Sequence, residues 1–365
     1  MLSCYLPDIG DGLAAGIKLL DGSDLQIDCG SKQNPKQVFR KSICRINPDV
    51  FILSHFHLDH YNGFFYNQKC RPHQHPTIQK VFFPKLPRKK EIKDFILCMF
   101  AINIRFLGDI SGSMELDFLN LLSKRNKCSF AYKAVSQGDL ISLGGSHIEI
   151  LWPPKEIDES ALKIIKKAID DFEEAKKEDK VLNDIYNRIN QDKSIEKYFQ
   201  ATDGENIYSN VENRDDSDIN YIECRNLDII RSIPEQTKKA NKSLKHAANH
   251  LSLAFRYNNQ ILFLGDLESS ELRQISNYLS VSNLTHYLII ITPHHGTHWH
   301  NALSQLSTIY AISSVGPNLF PKIKPEFKQI SDICLYTYAN GDIEIPHPIL
   351  RPLRYWRGRY WRLYI

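Results

Sequence analysis

The sequence predicts an α/β fold that carries its chemistry at strand ends, and three observations lead there. Short apolar segments bounded by turn residues alternate with stretches of helical periodicity. Several of those segments end at a histidine or an aspartate, as in α/β enzymes that build their sites on the loops at one sheet edge. One of them, Val50 to Leu53, runs directly into SHFHLDHYNG, which places His55, His57, Asp59 and His60 within six positions.

Taken in order, the strand candidates are LQIDCG (Leu25 to Gly30), VFILSH (Val50 to His55), KVFFP (Lys80 to Pro84), HIEILWPP (His147 to Pro154), LSLAFRY (Leu251 to Tyr257), ILFLGD (Ile261 to Asp266) and YLIIITPHH (Tyr287 to His295). LSLAFRYNNQILFLGD reads as a hairpin turning at Asn258 and Asn259. Two stretches break the rhythm and read as insertions, at about 86–128 and 155–245. The first holds a helix around Glu91 to Phe100. The second opens with Leu162, Ile165, Ile169 and Phe172 at the spacing of an amphipathic helix, then turns polar through DGENIYSNVENRDDSD, the composition of a surface loop or disordered segment. With these insertions, 1–345 reads as one domain, and 346–365 is a basic, aromatic tail.

Composition bounds the answer without fixing it. With 365 residues and 42% hydrophobic content the chain can bury one large core or two modest ones, and a net charge of +4 is too mild to demand an anionic partner. The eight cysteines are scattered with no C-x-x-C pair, so they read as reduced thiols and the protein as cytoplasmic. The opening MLSCYLPDIGDG has no basic region followed by a long apolar stretch, and YLIIIT is too short to span a bilayer, so neither signal peptide nor membrane association is expected.

In an extended segment residues two apart project the same way, so His55 and His57 can grip one ion while Asp59 and His60, beyond the turn, reach a second. Imidazole and carboxylate suit Zn²⁺, Mn²⁺ or Fe. A lone H-x-H is most often a pair of surface histidines; H-x-H-x-D-H after a buried strand is far more specific. LFLGDLE offers Asp266 at a later strand end, where a carboxylate could bridge two cations, and ITPHHGTHWH offers His294 and His295 at the next.

These segments resemble the metallo-β-lactamase fold superfamily, and more narrowly the soluble hydrolase (nuclease) domain of the ComEC DNA-uptake family. SHFHLDHYNG is similar to the H-x-H-x-D-H motif, DIGDGLAAGIKLLDGSDLQIDCG to the opening hairpin and the strand after it, and VSQGDLISLGGSHIEILWPP, NHLSLAFRYNNQILFLGDLE, IITPHHGTHWH, AISSVGPN and TYANGDIEI follow the family order. The resemblance implies a four-layer αββα sandwich with the metals at one edge of two sheets. It implies His55, His57, Asp59, His60, Asp266 and one of His294 and His295 as ligands to two divalent ions, with His294 as the assigned ligand and Asp59 and His295 as catalytic groups. Asp28 would support the first loop by hydrogen bonding, unless it is merely a turn residue. A further histidine ligand common in the superfamily is missing: an N-x-x-S stretch, Asn249 to Ser252, stands there, and His250 within it is expected on the surface, like His73 and His75.

Two cations sharing a water can deprotonate it and stabilise a developing oxyanion, a mechanism open to phosphodiesters, thioesters and lactams. Asp59 would orient the nucleophile, and the non-ligand histidine of the 294/295 pair would protonate the leaving group or steady the transition state. The tail RPLRYWRGRYWRLYI interleaves arginines with Tyr and Trp, suited to phosphate contacts and base stacking or, equally, to a terminal strand packed on the fold. PKLPRKKEIK adds a second basic patch. The leading expectation is a nuclease acting on DNA or RNA. The alternatives are hydrolysis of a small molecule such as a cyclic nucleotide or thioester, and an effector of a multi-protein system, defence systems included, gated by a protein partner at 155–245.

Overall fold

The structure, a computed structural model, describes residues 3–65, 76–86, 89–107, 118–126, 128–143, 146–191, 198, 206–208 and 232–346. Its strands are β1 (Ser3–Leu6), β2 (Ala15–Lys18), β3 (Asp24–Ile27), β4 (Val50–Ile52), β5 (Lys80–Pro84), β6 (Phe130–Val135), β7 (Leu140–Leu143), β8 (Ser146–Trp152), β9 (Asn206–Tyr208), β10 (Ala254–Tyr257), β11 (Ile261–Phe263), β12 (His286–Ile291), β13 (Ser307–Ser313), β14 (Ser331–Tyr336) and β15 (Ile343–Pro346). They form two mixed sheets, one in the order β15-β1-β2-β3-β4-β5-β6-β9 and the other β14-β13-β12-β11-β10-β8-β7. The middle of the first, β3 to β6, and one end of the second, β11 to β14, are parallel.

Strand periodicity explains how the apolar residues are shared out. Along β4 and just beyond it, Val50 and Ile52 join a core that also takes Ile261 and Phe263 of β11 and Ile289 and Ile291 of β12, so the two sheets bury one face each in common. Phe51 and Leu53 point the other way, into a core with Phe95 and Phe100 of the helix Lys90–Leu107, Ile165 and Phe172 of the helix Glu159–Glu178, and Leu244 of the helix Glu235–Asn249. On the second sheet Leu262 and Ile290 turn outward to Leu272, Ile275 and Leu279 of the helix Ser269–Val281. Strands buried on both faces need continuous apolar runs, and VFIL and YLIII supply them.

All seven strand segments expected from the sequence are present, and the β10–β11 hairpin turns at Asn258, whose φ of 49° suits asparagine. The helix expected from Glu91 extends to Leu107 because apolar residues continue through Ile102 and Ile104. Both stretches read as insertions supply helices to the same core as β4 and β5. Buried Arg105 bonds Asp179 at 2.8 Å, and Thr237 bonds the same carboxylate oxygen at 3.0 Å, tying three helical segments together. One polar segment departs from expectation: Asn206–Tyr208 is a strand against β6, with the Tyr208 ring stacked on Phe130 at 5.3 Å. The rest of DGENIYSNVENRDDSD, His73, His75 and the tail after Pro346 lie outside the described residues.

Cys4, Cys29, Cys98, Cys128 and Cys334 are free thiols, whereas Cys44 departs from the reduced-thiol reading, being disulfide-bonded. Scattered spacing could not reveal this, since pairing follows tertiary approach. Among the described residues no helix is long and apolar enough to cross a membrane.

Candidate metal centre

The first ligand loop is held by Asp28, at the end of β3. Its φ of 53° is left-handed, and its carboxylate accepts from the Ser54 amide at 2.7 Å, the Ser54 hydroxyl at 2.6 Å and His60 Nδ1 at 2.7 Å. A carboxylate can only accept, so His60 carries a proton on Nδ1 and turns Nε2 inward. The supporting role expected of Asp28 is thus matched by three hydrogen bonds. Ser54 in turn anchors the loop to the second sheet, its carbonyl accepting from the Leu253 amide at 2.8 Å.

Asp266 follows Gly265 at the end of β11. Gly265 has a φ of +53°, and a Cβ there would collide with the Leu253 carbonyl and with the Ser252 hydroxyl at 2.5 Å. The Asp266 amide donates to that hydroxyl at 2.9 Å, and its Oδ2 lies 3.5 Å from His60 Nε2, 3.6 Å from His295 Nε2 and 3.9 Å from His55 Nε2. His295 Nδ1 donates to the Ser314 carbonyl at 2.9 Å, so its Nε2 presents a lone pair. Imidazole Nε2 atoms therefore face a carboxylate oxygen, an arrangement that calls for protons or a cation between them. Nε2 of His55, of His57 and of His60 is buried with no hydrogen-bond partner, so the donor set fits a metal.

Among the described residues, ligand-capable atoms gather in three groups: His55, His60 and Asp266; Asp59, His60 and His295; and Glu268, His294 and His298, the atoms of each group lying within 4.8 Å of one another. His57 is in none of them, although its ring centroid is 4.3 Å from that of His55. His294 and His295 are separated by backbone geometry. Both are left-handed, with φ of 47° and 59°, so neighbouring side chains leave the turn in different directions. His295, expected as the catalytic partner, goes to Asp266. His294, expected as the ligand, stacks on His298 at 4.0 Å and meets Asn249, whose amide holds Glu268 at 2.8 Å.

Charge in the cluster is strongly coupled. Burial opposes the charged form of His60, but Asp266 and Asp28 override it and hold the imidazole up at about 10. Burial pushes His57 down to about 3 and His294 to about 4, with nearby carboxylates opposing both. Burial would raise the carboxyl of Asp59, yet Lys32 and Lys245, then His60 and His57, keep it well below the usual range; His295, His60 and His294 do the same for Asp266. Glu268 is likewise held at about 2 against its own burial by His298 and Asn249.

Sequence reasoning missed Lys32, Lys245, Glu268 and His298. Glu268 lies two residues past Asp266 and His298 within ITPHHGTHWH, so proximity to the motifs was a usable signal; the lysines offered none. His250 corrects an expectation: it is buried rather than on the surface. Its Nδ1 is 2.8 Å from Glu271 and its carbonyl accepts from Trp152 Nε1 at 2.7 Å, because the helix Glu235–Asn249 runs up to it and the helix Ser269–Val281 covers it. It belongs to none of the three groups. Beside the cluster, His294, Thr297 and His298 share an open groove of about 720 Å³ with Lys322 and Lys324. The groove wall is fixed by the Lys324 amide, which donates to the Gly296 carbonyl at 2.9 Å.

No protein-family model matches the chain, and no curated protein matches it significantly.

Proposed function

We propose that this protein is a metal-dependent phosphodiesterase acting on DNA or RNA, built as a four-layer αββα sandwich of metallo-β-lactamase type and holding two divalent cations, Zn²⁺ or Mn²⁺. The observation that carries the reading is the convergence of three buried imidazole Nε2 atoms on one oxygen of Asp266. His55, His57, Asp59, His60, Asp266 and His295 would hold the ions between them. When bound, such ions lower the pKa of a water towards neutrality and polarise the oxygen of the group attacked.

The chain's own residues do the rest. Asp28 and the Ser314 carbonyl take the Nδ1 protons of His60 and His295, so that both Nε2 atoms are turned into the site, where a cation would replace any proton they carry. Asp59, ionised at neutral pH, accepts a hydrogen bond from the attacking water and orients it. His294, neutral at pH 7, donates a hydrogen bond to the departing oxygen, with Asn249, Glu268 and His298 setting its position. The groove bearing Lys322 and Lys324 suits a polyanionic strand running away from the cluster.

Elemental analysis of purified wild type and Asp266→Ala, with a nuclease assay in added Mn²⁺ or Zn²⁺ on the same samples, tests this. About two equivalents of metal and cleavage in wild type, both lost in the variant, are expected. Wild-type protein that neither takes up metal nor cleaves would overturn it.

A further inference from the structure

We propose that Lys32 and Lys245 form a clamp for the non-bridging oxygens of the scissile phosphate, making the site selective for anionic phosphodiesters over neutral thioesters and lactams. The inference rests on the phosphodiesterase reading and narrows it to one substrate class. Lys32 sits in the loop after β3 and is fixed there by its amide, which donates to the Asp11 carbonyl at 2.7 Å. Its Nζ is 3.1 Å from Asp59 Oδ2, and its side chain is 45% exposed while that of Asp59 is 7% exposed, so the ammonium stands between the ligand loop and solvent.

Lys245 approaches the same site from a remote part of the chain. It lies four residues before Asn249 on the helix Glu235–Asn249, hence on the face whose Asn249 amide bonds Glu268. It is half-buried, and its charge acts on Asp59 and His57. Lys32 thus contacts a carboxylate that also belongs to a candidate ligand group, and Lys245 adds a second positive charge on the same side of the site. Once Asp59 shares its charge with a divalent ion, neither lysine keeps a full counter-charge. A phosphodiester supplies that negative charge at the reacting centre, and a neutral acyl group does not.

The test uses the metal-loaded protein, with inorganic phosphate as the binding probe by calorimetry and two substrates, bis(p-nitrophenyl) phosphate and neutral p-nitrophenyl acetate. Lys245→Ala and Lys32→Ala should each weaken phosphate binding by about tenfold or more, the effect of losing one charge-assisted hydrogen bond. Each should lower kcat/KM for the phosphodiester by a similar factor while sparing the acetate, with metal content unchanged. Arginine at either position should restore most of the loss. Unchanged phosphate affinity, or equal losses on both substrates, would overturn the clamp. Lysine-dependent phosphate binding without phosphodiester hydrolysis in wild type would leave the clamp standing and remove the phosphodiesterase reading.

Discussion

Gly30 lies so close to the first ligand loop that a methyl group there would collide with the Asp59 carbonyl and come within 2.5 Å of the His60 amide nitrogen. Neither neighbour can yield without moving two candidate ligands. Gly30→Ala should therefore cost about 1–3 kcal/mol in chemical denaturation and weaken zinc binding by an order of magnitude; a variant with wild-type zinc affinity would show the loop to be more compliant than its packing implies. The 294/295 pair permits a sharper experiment. His295→Ala should lose metal, whereas His294→Ala should keep it and lose about 10²-fold in kcat on an oligonucleotide, with little loss on a p-nitrophenyl ester whose leaving group needs no help. Metal loss in His294→Ala would reverse the two assignments. At this scale the sequence was readable where ligands are contiguous, as in SHFHLDH. It was not readable where the choice hangs on two left-handed residues, or where Lys32 and Lys245 meet Asp59 only through folding.

Elements were legible to the extent that burial alternates along them. Phe51 and Ile52 serve different cores, so VFIL had to be a strand, while the Leu162 to Phe172 spacing fits the helix Glu159–Glu178, whose Asp158 cap accepts from the Ala161 amide. Hidden from the sequence was how the inserted helices attach. Asp171 answers part of that: its carboxylate bonds Lys167 at 2.7 Å, and Ser243 at 2.6 Å and Lys239 at 3.0 Å on the helix Glu235–Asn249. Burial works against ionisation of Asp171, but these partners hold its pKa below the ordinary value near 4. A carboxyl depressed in the folded state contributes stability that is fully present above its unfolded pKa and is lost as pH falls towards the folded value. Asp171→Asn should accordingly be less stable than wild type by about 1 kcal/mol at pH 7, with the gap closing below about pH 4 in urea titrations. A gap that stays constant down to pH 3 would mean that packing, not charge, joins these helices.

Across the whole molecule the candidate ligands come from both sheets: His55, His57, Asp59 and His60 follow β4 in one, and Asp266 and His295 follow β11 and β12 in the other. The sheets already share an apolar core, but at the ligand edge that core gives way to buried imidazoles whose Nε2 atoms stand opposed to a carboxylate. Cations seated there would join the two halves of the chain and relieve that opposition together. Binding to the folded state alone stabilises by RT ln(1 + [L]/Kd), about 2.7 kcal/mol at a hundredfold excess over Kd. For a chain of this size each kilocalorie moves Tm by roughly 1–2 °C. Chelation should therefore lower the wild-type Tm by about 3–5 °C, reversibly on adding zinc or manganese. In Asp266→Ala the metal-dependent increment should all but vanish, since the carboxylate on which three candidate imidazoles converge is gone. An equal shift in wild type and variant would place the stabilising ion elsewhere, and no shift in wild type would deny the ions a part in holding the two sheets together.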